Sequence, residues 1–186
     1  TILLSLMFLF SMGNSSDQDQ LPDAAWIFAL THIPGIGNKT LLTLLRSFGS
    51  GRALWEAILD TDTELLDIRP AAVTALQTHI HTLNPSALWS TLFTSYPDIQ
   101  IISYTDTQFP VLLREIPDAP VLLYVRGAYR WQECRPMITI VGTRRPSLYG
   151  RQMAQDFSRQ LSQAGFVVVS GLAFGVDSIA HQTVLE

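Results

Sequence analysis

From Met137 to Glu186 the sequence twice runs a short apolar stretch into a glycine-bearing turn and out into a helix, and this repeat constrains the fold more than any other feature. Met137 to Val141 leads through Gly142 to a helical stretch from Gly150 to Ala164. Phe166 to Ser170 then leads through Gly171 and Gly175 to a second helix from about Val176. Two strands joined through a helix lie parallel, because the crossover returns the chain to the same edge of the sheet. Phe166 to Val169 is apolar at every position, the pattern expected when both sheet faces are covered. The predicted class is therefore α/β, with a Rossmann-like parallel sheet. The sheet is expected to be truncated, since a covered parallel sheet needs more strands than these residues supply.

Upstream the periodicity is helical. Trp26, Ile27 and Leu30 share one face of a helix beginning near Pro22, and Leu41, Leu44, Leu45 and Phe48 recur at helical spacing from Thr40 to Phe48, with Gly49 as the stop. Between them lies the tight turn Pro34-Gly35-Ile36-Gly37, followed by Asn38 and Lys39. A poorer copy of the unit follows, with Leu54, Trp55 and Ile58 on one helix, Leu65 to Pro70 in place of the hairpin, and a helix from Ala71 to about Leu83. A further helix spans Ser86 to Thr94. Ile99 to Ser103 and Val121 to Arg126 read as strands, rich in Ile, Val, Leu and Tyr and bounded by Pro and Gly. The expected organisation is a leader over 1–20, a small all-helical domain over 21–95 and the α/β domain over 96–186.

The stretch Thr1 to Phe10 is apolar but too short to cross a bilayer, which needs about 20 residues. It reads as sequence upstream of a start at Met7 or Met12. With no initiator methionine and a last residue inside a helical stretch, the chain reads as a piece of a longer one. One cysteine, Cys134, cannot form an internal disulfide, which fits a reducing, cytoplasmic compartment; no histidine lies near it to activate a nucleophile. The net charge of −4 hides a split: residues from Arg126 onward carry +3 and the preceding ones −7. A basic patch on one domain can steer a polyanion despite an acidic whole.

Ligands of open α/β sheets bind beyond the carboxyl ends of the strands, where both glycine turns fall. In the first turn Gly142 removes a side chain as the backbone leaves the sheet, Thr143 offers a hydroxyl and Arg144 a guanidinium fork suited to phosphate oxygens. Arg145, Ser147, Tyr149 and Gly150 continue this turn into a helix whose N-terminal amides favour an anion. The second turn contributes Ser170, Gly171 and Gly175, with Phe174 between them. The two turns in consecutive βα units form one expected phosphate-binding site. Neither carries the Gly-Lys-Ser/Thr of a Walker loop or a G-x-G-x-x-G run, which excludes a P-loop nucleotidase and a standard dinucleotide fingerprint on these motifs. The alternative for each turn is that its glycines serve only tight strand-to-helix turns. Asp177 and His181, four apart on one helix, lack a third ligand or a nucleophile, so capping and packing are expected of them, with no metal and no cofactor.

IVGTRRPSLYGR (140–151) and GFVVVSGLAFGVDSIAHQTVLE (165–186), preceded by FPVLLREIPDAPVLLYVRG (109–127), resemble the signature regions of the DprA/Smf family in the family's order. With the helical domain, which is similar to a SAM-like or helix-hairpin-helix-like module, the resemblance runs from about Pro22 to Glu186. It implies a non-catalytic protein that binds single-stranded DNA and loads RecA recombinase in natural transformation, acting as a homodimer without a membrane. It places Gly142, Thr143 and Arg144 in a Gly-Ser/Thr-Arg motif lining a positive DNA pocket, and Ser170, Gly171 and Gly175 in its second phosphate-facing loop. The family often has a basic residue where this chain has Phe174, so either base stacking or core packing is open to that ring.

Gly35, Gly37 and Lys39 form a possible second DNA contact: hairpin glycines free amides at a helix N-terminus, with an ammonium close by. A structural role for the hairpin remains the alternative. The competing function is a nucleotide-binding or phosphoribohydrolase-type Rossmann enzyme, which would need a catalytic carboxylate and a Gly-Gly-x-Gly-Thr loop beyond these residues.

Overall fold

The computed structural model describes residues 20–60, 67–127 and 135–186, and the chain divides into two compact units, Thr1–Tyr129 and Arg130–Glu186. Residues 1–19 of the expected leader, Leu65 and Leu66 of the second hairpin, and Cys134 lie outside the described residues. No described helix is long and apolar enough to cross a membrane.

The first unit is built around α1 (Asp23–Leu30). The sequence suggested one apolar face; the structure buries Ala24 through Leu30 without a break. A helix apolar all round must be central, and α1 packs against α3 (Gly51–Leu59), α5 (Pro85–Ser95), β1 (Ile99–Ser103) and β2 (Leu122–Arg126). Helix α2 (Asn38–Phe48) ends at Gly49, which takes the left-handed conformation expected of a helix stop. Helix α4 (Pro70–Ile80) and α5 each begin with proline, whose missing N–H costs nothing at that position.

Polar side chains fix the joints of this unit. The Asp23 carboxylate accepts from the amides of Gly51 and Arg52 at 3.0 Å each and from the Thr105 hydroxyl at 2.6 Å. It thereby caps α3 from a neighbouring helix and ties in the chain beyond β1. Asn38 donates to the carbonyl of Ala119 at 2.9 Å and accepts from the amide of Val121 at 2.8 Å, clamping the approach to β2 onto the start of α2.

Strands β1 and β2 pair antiparallel, Ile99 opposite Arg126 and Ser103 opposite Leu122. The short helix α6 (Val111–Arg114) lies between them in sequence. The pair belongs with the helices: Ala119, Val121 and Leu122 are part of the helical core. Where the sequence reading drew a boundary at 95/96, the compact units divide at Tyr129/Arg130. A switch from helical to strand periodicity marks a change of element, and here that change falls inside one packed unit.

The second unit carries β3 (Met137–Thr139), α7 (Leu148–Gln163), β4 (Val167–Val169) and α8 (Val176–Leu185). The strands are parallel, with Met137, Ile138 and Thr139 opposite Val167, Val168 and Val169. This is the expected βαβα unit, with shorter strands. Helices α7 and α8 pack against each other and against β4. The covering of both faces expected from the all-apolar strand is not reached: Val167 and Val168 are half-buried and Val169 is exposed. With only two strands described, the sheet gives β4 too few neighbours to enclose it.

Candidate phosphate-binding site

The two turns at the strand ends meet. The Val176 amide donates to the Thr143 carbonyl at 3.2 Å, and the Ile140 amide donates to the Val169 carbonyl at 3.0 Å just before the strands part. Gly175 has φ +91°, and a Cβ there would run into the Thr143 carbonyl oxygen and lie 2.7 Å from Arg144 Cα. A Cβ on Gly142 would lie 2.7 Å from Val176 Cγ2. These two glycines let the turns close on each other, so the bareness read from the sequence as room for a phosphate is used by the facing turn. The Gly171 position is bounded by the Asp177 carboxylate, 3.1 Å from where a Cβ would be.

Arg144 and Arg145 ride on this junction. Both are exposed, as are Gly142 and Thr143, and neither guanidinium has a hydrogen-bonding or ionic partner among the described residues. The Thr143 hydroxyl accepts from the Arg145 amide at 3.2 Å, which fixes the bend carrying both arginines. Ser147 caps α7, its hydroxyl accepting from the Gly150 amide at 3.1 Å. Arg151, which the sequence reading left out, sits in the first turn of α7, exposed and likewise unpaired. Its signal was readable: it follows the Ser147 cap by four residues. Arg144 and Arg145 precede the same cap by three and two residues. An anion is favoured at such a helix start.

The second turn supplies an apolar rim. Phe174 is 84% exposed, so its ring is not packed among the described residues, and Leu172 is 77% exposed. Leu172 also has φ +55°, a conformation that costs a branched residue energy and is held by its surroundings. Tyr149, 74% exposed, and Leu148 stand at the start of α7. The Ser170 hydroxyl, expected to face a phosphate, donates instead to the Ile140 carbonyl at 2.6 Å and so braces the two strand ends. Asp177 is buried without capping α8, and His181 Nε2 lies 3.4 Å from the Ser170 carbonyl oxygen. Among the described residues no three His, Cys, Asp or Glu side chains converge as a metal site.

In the other unit, Gly35 adopts φ +80°, Gly37 is open on its Cβ side and Lys39 is exposed and unpaired. Asn38, between hairpin and helix, has both ends of its amide committed to the 118–121 backbone.

Residues 100–186, which include both turns, match the family model described as DNA recombination-mediator protein A. A Smf protein from Synechocystis is 30% identical over 167 residues, covering 88% of this chain and 42% of that protein. The crystal structure of DNA processing protein A from Streptococcus pneumoniae aligns with a TM-score of 0.68 at 25% identity, over 89% of this chain and 54% of that one. The chain belongs to the DprA/Smf family. Another DprA/Smf relative, the DNA processing protein DprA of Bacillus subtilis, is 36% identical over 83 residues, 45% of this chain and 28% of that protein. The chain spans less than half the length of these curated DprA/Smf relatives.

Proposed function

We propose that the junction of the two turns binds the sugar-phosphate backbone of single-stranded DNA. The observation that carries this reading is the set of three exposed guanidiniums without ion-pair partners among the described residues, Arg144, Arg145 and Arg151, close in sequence to the start of α7, where a polyanion is favoured. Leu148 and Tyr149, the first helical residues, add amides that helix geometry leaves without intrahelical partners. Gly142, Thr143, Ser147, Gly150, Ser170, Gly171 and Gly175 shape the cup, and Arg144 clamps the strand. Phe174 and Tyr149 offer ring faces to unpaired bases, which a duplex would keep stacked away from them. In this reading the complete protein is a homodimer that mediates recombination by loading RecA onto incoming strands during natural transformation, and it works in the cytoplasm without catalysis.

The test is a titration of labelled oligothymidylate against the chain at several salt concentrations. Parent protein is expected to bind with an affinity that falls steeply with salt. Arg144→Ala is expected to weaken binding and to reduce the slope of log affinity against log salt by about 0.7 for each phosphate it no longer neutralises. Unaltered affinity and slope in Arg144→Ala remove Arg144 from the site. Tight mononucleotide binding with turnover selects a phosphoribohydrolase-type enzyme instead.

A further inference from the structure

The helical unit holds a second group of cations without counter-charges. Arg46, near the end of α2, donates from Nε to the Tyr104 hydroxyl at 3.2 Å, and its Cζ lies 5.6 Å from the ring centroid. Arg114, at the end of α6, has its Cζ 5.7 Å from the same ring and 5.6 Å from that of Phe109, and donates from Nη2 to the Asp106 carbonyl at 2.5 Å. Neither arginine has a carboxylate partner among the described residues. Arg52 pairs with Glu56 at 2.8 Å and Arg126 with Asp98 at 2.8 Å, whereas Arg69, like Arg46 and Arg114, has no carboxylate partner among the described residues. Arg46 and Arg114 differ from Arg69 in being held against aromatic rings.

We propose that Arg46 and Arg114, held around Tyr104, form with Lys39 a second phosphate-binding strip that takes the backbone of a nucleic-acid strand. Two guanidiniums held around one ring place positive charge where a phosphate can meet both. The aromatic contacts, worth about 0.5–1 kcal/mol each at exposed sites, fix the guanidiniums before a ligand arrives, which lowers the ordering cost of binding. Lys39 precedes Arg46 by seven residues and lies on the same face of α2, about 10 Å along its axis. Both are exposed and have no carboxylate partner among the described residues. A strip of this length suits an extended polyanion better than a free phosphate. Arg46 also complements the negative end of α2, and Arg114 braces the chain between Tyr104 and Phe109. The choice of a nucleic acid over an acidic protein rests on membership of a DNA-processing family. The strip itself uses no residue of the Arg144 junction.

The experiment measures oligothymidylate affinity of the full chain across a salt series for the parent, the double variant Lys39→Gln/Arg46→Gln, Arg46→Lys and Arg144→Ala, with thermal melts as a control of folding. Arg114, half-buried, is left intact. The double variant is expected to melt as the parent does and to show a salt slope smaller by about 0.7 for each phosphate it no longer neutralises, while Arg46→Lys keeps most of the slope. A folded double variant with the parental slope overturns the strip, whether or not Arg144→Ala shows an effect. A reduced slope in the double variant alongside an unaffected Arg144→Ala upholds the strip and removes the junction. Competition by inorganic phosphate as effective as by oligonucleotide, at equal phosphate concentration, overturns the assignment to an extended strand.

Discussion

Gly175 shows how one residue can be necessary to a site without touching a ligand. Its positive φ and its closeness to the Thr143 and Arg144 backbone leave no room for a side chain. Gly175→Ala is expected to lower stability by about 2–4 kcal/mol, because rigid backbone rather than a movable side chain opposes the added methyl. Denaturant unfolding checks this, and a loss below about 1 kcal/mol would show that the turns part easily. Phe174 is the opposite case. With its ring in solvent, Phe174→Ala is expected to leave the melting temperature unchanged and to weaken oligothymidylate binding by about 1–3 kcal/mol, the worth of one stacked base. Equal affinity in the two proteins would contradict the stacking role. The sequence showed that Gly142, Arg144, Ser170 and Gly175 belong to one place, since all four fall at strand ends of a single βαβα unit. It could not show that Gly142 and Gly175 are filled by Val176 and by the Thr143–Arg144 backbone, or that the Ser170 proton is committed to Ile140, because these are contacts between turns thirty or more residues apart.

At the scale of elements, periodicity located the described helices of both units to within a few residues, because apolar spacing, the stop at Gly49 and the start at Pro70 are local signals. Helix α1 escaped in character: Trp26, Ile27 and Leu30 share one face, whereas Ala24, Ala25, Phe28 and Ala29 complete a helix buried all round. The antiparallel pairing of β1 with β2 was not legible either, since a strand's partner is chosen by tertiary contact. That hairpin has a pH signature. The Arg126 guanidinium, hydrogen-bonded to Asp98, holds the Asp98 carboxyl below its ordinary value, and Asp98 in turn raises Arg126. Because the folded value is depressed, the pair's stabilisation is present above the unfolded aspartate range and is lost as pH falls through the folded value. Both groups are exposed, so the contribution is small. A carboxyl NMR titration is expected to place the Asp98 midpoint below that of an unperturbed aspartate, and Arg126→Ala to raise it toward that value, a backbone hydrogen bond keeping part of the depression. A parental midpoint at the ordinary value would contradict the pairing.

For the whole molecule, charge and architecture divide together. The acidic stretch forms a helical unit with an antiparallel hairpin, and the basic residues cluster in the parallel βαβα unit, where Arg144, Arg145 and Arg151 remain unpaired. The charge split was legible from composition, but the position of the division was not, because Ala119, Val121 and Leu122 look like sheet core in sequence and pack into the helical core instead. The central claim is that both turns of the βαβα unit contact one strand of DNA together. Residue-resolved NMR during titration with oligothymidylate tests it most directly. Amides of residues 142–151 and 170–176 are expected to shift along one saturating curve. Saturable binding that leaves either turn unmoved would contradict the claim.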